Sequence, residues 1–304
     1  MRGAKEDDLP PLTPRGGVRG GVPGYRFTST LTFAVELRRQ AGRRRTQLAL
    51  GFMVALPLVI LLAFEFGRSG RGGGGGGSRG QFAMLADIAI SGGLNFALFT
   101  LLVSSSFLLV VVVALFCGDS VASEASWGSL RYLLAVPVPR ARLLGSKLLV
   151  SLLYSLVALL TLTGTALLLG TLRYGWHPLR TTVAGEIASD QAVLRLAGIV
   201  AYLAVTLLVV AGLAFLLSVS TDAPLGAVGG AVLLQILSDI LDQVTALGQL
   251  RVVLPTHYAQ AWLGLLSNPV QTDDLARGAI SAVLYAAAFF AWAWYRFLRK
   301  DVVS

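Results

Sequence analysis

Apolar residues in this chain run in long unbroken blocks, and polar residues gather in the gaps between them. A helix needs about 20 mostly apolar residues to cross the hydrocarbon core of a bilayer. Apolar windows approaching that length lie at about 47–64, 94–117, 148–170, 196–220, 224–243 and 278–295, all charge-free except the fifth, which holds Asp239 and Asp242. The second sits inside a longer charge-free stretch, Ile88 to Gly118, in which the Gly92-Gly93 pair is expected to end a short surface piece. The pattern predicts an all-α membrane protein with six transmembrane helices, organised as a tail over 1–26 and one transmembrane domain over 27–304.

Composition agrees with the pattern: 55% of residues are hydrophobic and 13% charged, and the mean hydropathy of +0.72 is well above that of a water-soluble domain. Charge then orients the spans, because cationic residues near span ends are retained on the cytoplasmic side. Arg38, Arg39, Arg43, Arg44 and Arg45 precede the first span; Arg131, Arg140, Arg142 and Lys147 follow the second; Arg296, Arg299 and Lys300 follow the sixth. With an even number of spans all three clusters fall on one side, which puts both termini in the cytoplasm of a multi-pass protein of the plasma membrane. Arg68, Arg71, Arg79, Arg173, Arg180 and Arg251 make this a bias rather than a clean separation. The formal charge of +9 is therefore a topology signal with the lipid bilayer as partner, not a nucleic-acid footprint, since the basic residues are not interleaved with aromatics on one soluble face.

The ends and most loops carry little chemistry. Residues 1–26 mix Pro, Gly and opposed charges and are expected to be a disordered cytoplasmic tail without the apolar core of a cleavable signal peptide. From Phe27 to Arg45 the chain becomes helix-compatible, which suits an interfacial elbow helix. The Gly72 to Gly77 run is not a phosphate loop, because no Lys-Ser or Lys-Thr follows it; it reads as a flexible linker. Nowhere does the chain match a nucleotide-binding motif, so any energy from ATP would have to enter through another polypeptide. The single cysteine, Cys117, excludes an intrachain disulfide and is expected to pack as a small apolar residue. His177 and His257 lack a paired carboxylate or cysteine at ligand spacing, so neither a metal nor a catalytic site is expected. Pro57 is expected to kink the first span. The apolar segment Val252 to Leu266, interrupted by Pro255 and His257, suits a short helix dipping into the membrane to close an outer gate.

Between Cys117 and Leu148 lies the one long polar stretch in the middle of the chain, GDSVASEASWGSLRYLLAVPVPRARLLGSK. Asp119 and Ser120 can cap a new helix leaving the membrane, with Ser123 to Trp127 continuing it. Gly128 permits a bend, Ser129 can cap a second short helix carrying Leu130, Leu133 and Leu134, and Pro137 and Pro139 stop it. The expected product is a stiff element able to pass a push into the second and third spans.

The fifth span carries the one polar constellation at membrane depth. Gln235, Ser238, Asp239 and Asp242 fall at offsets that share one helix face, and acidic groups inside a membrane are functional candidates. If the helix stops near Ile240 both aspartates are merely solvated; if not, they line an exit path or contact a cationic substrate.

Gly118, Glu124, Gly128, Leu130, Leu133, Leu134, Pro137, Arg140 and Lys147 resemble the permease subunits of ABC exporters of the type-2 class. The tail resembles them too, in LPTHYAQAWLGLL from Leu254 to Leu266, then Gly278, Tyr285, Trp292 and Phe297 to Val302. The resemblance covers about Leu31 to Val302. It departs where Glu124 stands four rather than three residues before Gly128, where Ser129 replaces the usual Thr, and where Ala125, Ser126 and Trp127 replace an often charged cluster.

This resemblance implies a transporter subunit with no ATPase site of its own. A separate ABC ATPase subunit, which binds the ATP and Mg, would move the polar stretch as a coupling helix. Two permease copies, identical or related, would form the path between them. Glu124, Trp127, Gly128, Arg131 and Arg140 are the residues assigned to ATPase coupling, and Gln235, Ser238, Asp239 and Asp242 to the pathway. Arg131 and Arg140 could instead only anchor the loop to lipid headgroups. Rival readings are an ion-coupled secondary transporter, expected to show broken helices at mid-membrane, a non-transporting membrane scaffold, and a membrane-embedded enzyme, for which a nucleophile with its base is wanting.

Overall fold

A computed structural model of the chain describes residues 33–69, 80–126, 140–181 and 185–299. Those residues are almost wholly helical, and six of their helices are long and apolar enough to cross a membrane, the architecture of a multi-pass membrane protein. In chain order the helices are α1 (Phe33–Ala41), α2 (Arg44–Ser69), α3 (Gly80–Ala89), α4 (Gly93–Ser105), α5 (Leu108–Ser126), α6 (Arg140–Tyr174), α7 (Ser189–Ser220), α8 (Pro224–Gln243) and α9 (Asp273–Arg299). A two-stranded antiparallel hairpin, β1 (Leu179–Thr181) with β2 (Gly185–Ile187), joins α6 to α7 and pairs Leu179 with Ile187. Among the described residues this hairpin is the one strand pairing in an otherwise all-α architecture, and two 3₁₀ segments, Thr245–Val253 and Ala261–Leu266, lie between α8 and α9.

Helices α5 and α7 form the centre. Of the spanning windows, 78% of α5 and 61% of α7 are buried, against 11% of α8 and 17% each of α2 and α9. The outer helices face lipid or other chains with their apolar side chains, among them Leu225, Leu233 and Ile280. Packing between helices in such a solvent gains little from apolar burial and depends on close approach. The buried face of α9 is accordingly small, with Gly278, Ala282, Ala286 and Ala293 spaced to lie along one stripe against α7. At Gly118, a Cβ would stand 2.9 Å from Val228 Cγ2 and 3.2 Å from its backbone nitrogen, so α5 and α8 meet there almost backbone to backbone.

The second span is not one helix, contrary to the sequence reading. It breaks between Ser105 and Leu108 into α4 and α5. The cause is legible in the hydroxyls: Thr100 Oγ1 donates to the Phe96 carbonyl, Ser104 Oγ to that of Thr100 and Ser105 Oγ to that of Leu102. Repeated back-bonding of this kind competes with the helix ladder and bends it. The two halves also have different neighbours, α4 packing chiefly on α6 and α5 on α7 and α8.

A second correction concerns where this span ends. Asp119 and Ser120 cap no new helix, because α5 continues through Gly118 to Ser126 without a break. Ser120 Oγ donates to the Cys117 carbonyl and Ser123 Oγ to that of Asp119, both within α5. Val121 and Ala122 donate their backbone N–H groups to Ser218 Oγ on α7, which fixes this end of α5 to the centre of the bundle. The third, fourth and sixth helices likewise outrun their charge-free windows, starting at Arg140, Ser189 and Asp273. Pro57 lies within α2, and Cys117 is fully buried.

Candidate functional site

Two places gather polar groups. The first is the basic end of the bundle, where α1, the start of α2, the end of α5 and the start of α6 meet. Lys147 Nζ stands 2.6 Å from Glu124 Oε1 and 3.3 Å from Glu36 Oε1. Arg39 Nη1 donates to Glu124 Oε1 at 3.0 Å, Arg45 Nη1 to Asp119 Oδ1 at 2.5 Å, and Arg43 Nη1 reaches Asp119 Oδ2 at 3.5 Å. Tyr154 Oη on α6 donates to the Leu37 carbonyl at 3.0 Å, so α1 is fastened from two sides.

Burial separates these pairs by strength. Lys147 and Glu124 are each 2% exposed, whereas Arg39 is 42% and Arg45 55% exposed. Water screens the exposed arginines, and such contacts contribute little. The buried lysine and carboxylate depend on each other, because either alone would be an uncompensated charge away from water.

Of the residues assigned to ATPase coupling, Glu124 is placed inside this cluster, because three basic side chains from α1, the α1–α2 turn and α6 converge on it. Arg140 is the first residue of α6. Trp127, Gly128 and Arg131 lie outside the described residues, as do the expected second helix of that loop and the Gly72 to Gly77 run.

The second place is a cavity of about 500 Å³ between α5, α7, α8 and the segment joining α8 to α9. Helix α8 runs to Gln243, past Ile240, so Asp239 and Asp242 are helical, and with Gln235 they line this cavity. Ser238 does not line it; it is buried behind, sharing a 2.8 Å hydrogen bond with Thr256 Oγ1. Asp242 Oδ1 lies 2.6 Å from His257 Nδ1. This neighbour is made by the fold, across the turn after α8, and not by any ligand spacing in the sequence. The other histidine, His177, packs against the left-handed Gly175 and beside Gly92 in the loop after α6.

The roof of the cavity is the segment around Pro255 to Gln260. The short helix expected over Val252 to Leu266 is here a run of turns ending in the 3₁₀ helix Ala261–Leu266, preceded by a 3₁₀ segment interrupted at Gly248 with φ near +52°. The broken span forms part of the opposite wall through Ser105 and Ser106. The run of three serines from Ser104 was the signal that could have located both the break and the wall. Among the described residues no group of three or more His, Cys, Asp or Glu side chains is placed to hold a metal ion.

Comparison with known proteins adds a family without a stated activity. Residues 58–303 match the family model described as Protein of unknown function (DUF2705). No curated protein matches the chain.

Proposed function

The chain belongs to the DUF2705 family, and from its sequence and geometry we propose that it is the transmembrane permease subunit of an ATP-driven exporter of the ABC type-2 class. Its basic end faces the cytoplasm of a cell whose plasma membrane it spans, with α1 lying at the interface as an elbow. A separate ATPase subunit binds ATP and Mg and pushes on the polar segment between α5 and α6. Two copies, or this chain and a related subunit, enclose the path.

One observation supports this most directly: Lys147 of α6 and Glu124 of α5, which flank the polar segment, are locked to each other and to Glu36 of α1 by buried ion pairs. A force applied to the intervening residues would therefore move α1, α5 and α6 as one body instead of being lost in a flexible loop. The spare apolar faces of α2, α8 and α9 leave room for a second copy.

Purification of the full chain from membranes, with any ATPase encoded beside it, tests the reading. An ATPase that co-purifies, and whose turnover changes on binding, supports it. A chain that recruits none and moves solute without ATP overturns it. The break at Ser106 is the feature that favours the second reading, an ion-coupled carrier, because interrupted helices beside a cavity are common in such proteins. Transport driven by an ion gradient in vesicles holding only this chain would decide for that alternative.

A further inference from the structure

The sign of the charge around the far cavity is opposite to that of the chain. The protein carries 25 Lys and Arg against 16 Asp and Glu, yet among the described residues no Lys or Arg lines this space. Its ionisable groups are Asp239, Asp242 and His257. His257 occupies Asp242 at 2.6 Å, while among the described residues no hydrogen bond or ion pair engages the Asp239 carboxylate.

Depth makes that carboxylate costly. At about 1.5 Å per residue Asp239 lies roughly 22 Å along α8 from Pro224 and roughly 6 Å before Gln243, inside a helix of membrane-spanning length. A carboxylate with no hydrogen-bond partner and a second acidic group, Asp242, on the next turn is stabilised by a cation that enters beside it. Around it the walls offer neutral hydrogen-bonding groups, Gln235, Thr206 and Ser106, and apolar surface from Leu203 and Val210. A volume of about 500 Å³ falls in the range of sites that hold small organic molecules, roughly 300–1,000 Å³.

We propose that this cavity binds an organic cation with a hydrogen-bonding periphery, Asp239 serving as its counter-ion and the break at Ser106 as its adaptable wall. This deepens the export reading by naming a class of cargo, and in that respect rests on it. The site itself depends only on the chain.

Cysteine chemistry gives a test that needs neither the natural ligand nor an ATPase. The lone native thiol, Cys117, is buried, so Ser106→Cys places one reactive thiol in the wall. Gln271→Cys, on the exposed loop before α9, is the reference. Full-length protein in lipid nanodiscs is reacted with a cationic and an anionic methanethiosulfonate reagent. The cation-to-anion rate ratio at Ser106→Cys, divided by that at Gln271→Cys, is expected to exceed about tenfold and to fall to near unity when Asp239→Asn is added. The same ratio with and without Asp239→Asn, an anion preference, or no labelling by either reagent would overturn the proposal. Asp239→Glu guards against a folding artefact, since it keeps the charge and must keep the preference. Because no nucleotide or partner is present, failure here leaves the ATPase reading standing, and failure to recruit an ATPase leaves this site standing.

Discussion

Lys147 Nζ lies 2.6 Å from Glu124 Oε1, with both side chains 2% exposed, across the 23 positions that separate them in sequence. Glu36 completes the arrangement from α1. Removing one member of such a buried pair costs about 3–5 kcal/mol, whereas replacing both by neutral groups of similar shape can be nearly free. Lys147→Met is therefore expected to lower the unfolding midpoint in a fixed detergent markedly, and Glu124→Gln added to it to restore much of the loss. A single variant melting with the wild type would show the pair to be solvated.

The burial of Glu124 separates its part from that of the loop beyond it. Under the export reading, Arg131→Glu should weaken ATPase association at least tenfold. Glu124→Gln should leave association within about twofold while reducing the ATP turnover that association stimulates, because it loosens the joint between α1, α5 and α6 without touching the partner. Pull-down and ATPase measurements on the same preparations distinguish the two. Equal loss of association in both variants would mean that Glu124 contacts the partner directly.

Two helical glycines of very different surroundings give a packing test. Gly118 has Val228 within 2.9 Å of where a Cβ would stand, while nothing lies within 4 Å at Gly51. Gly118→Leu should destabilise the protein by about 1–3 kcal/mol through overpacking. Gly51→Ala should be neutral or slightly stabilising, by up to about 1 kcal/mol, through helix propensity. Thermal unfolding of both variants checks the contrast, which fails if Gly118→Leu is tolerated.

The roof of the cavity is tied to α8 at two points, Ser238 to Thr256 and Asp242 to His257. Thr256→Val leaves the buried Ser238 hydroxyl without its partner, at a cost of about 1–3 kcal/mol. Combined with His257→Phe, it should raise amide hydrogen exchange in residues 245–260 while leaving α5 and α7 unchanged. Uniform exchange across the whole chain would show that the roof is not an independently opening unit.

The spans were legible because absence of charge over about 20 residues is a local property of the sequence. Their ends were not. Asp119 and Glu124 look like residues leaving the membrane, yet they stay helical and buried because Arg45, Arg43, Arg39 and Lys147 arrive from elsewhere in the chain to neutralise them. The same limit hid the Asp242–His257 pair, whose members are 15 residues apart and meet only through the turn after α8. The shared face of Gln235, Asp239 and Asp242 was readable from helical spacing, since that needs no tertiary partner. Ser238, on the same face by spacing, is turned into the core by Thr256, which spacing cannot show.

Helices α4 and α5 continue one another and both touch α6, but only α5 packs extensively on α7 and α8 as well. A rod interrupted in this way is jointed at Ser106, so its two arms can change their mutual angle without either helix unwinding. The arm toward the basic end, α5, has 19 residues, and the other, α4, has 13. A change of angle between the two arms is therefore taken up at a joint that is itself part of the cavity wall.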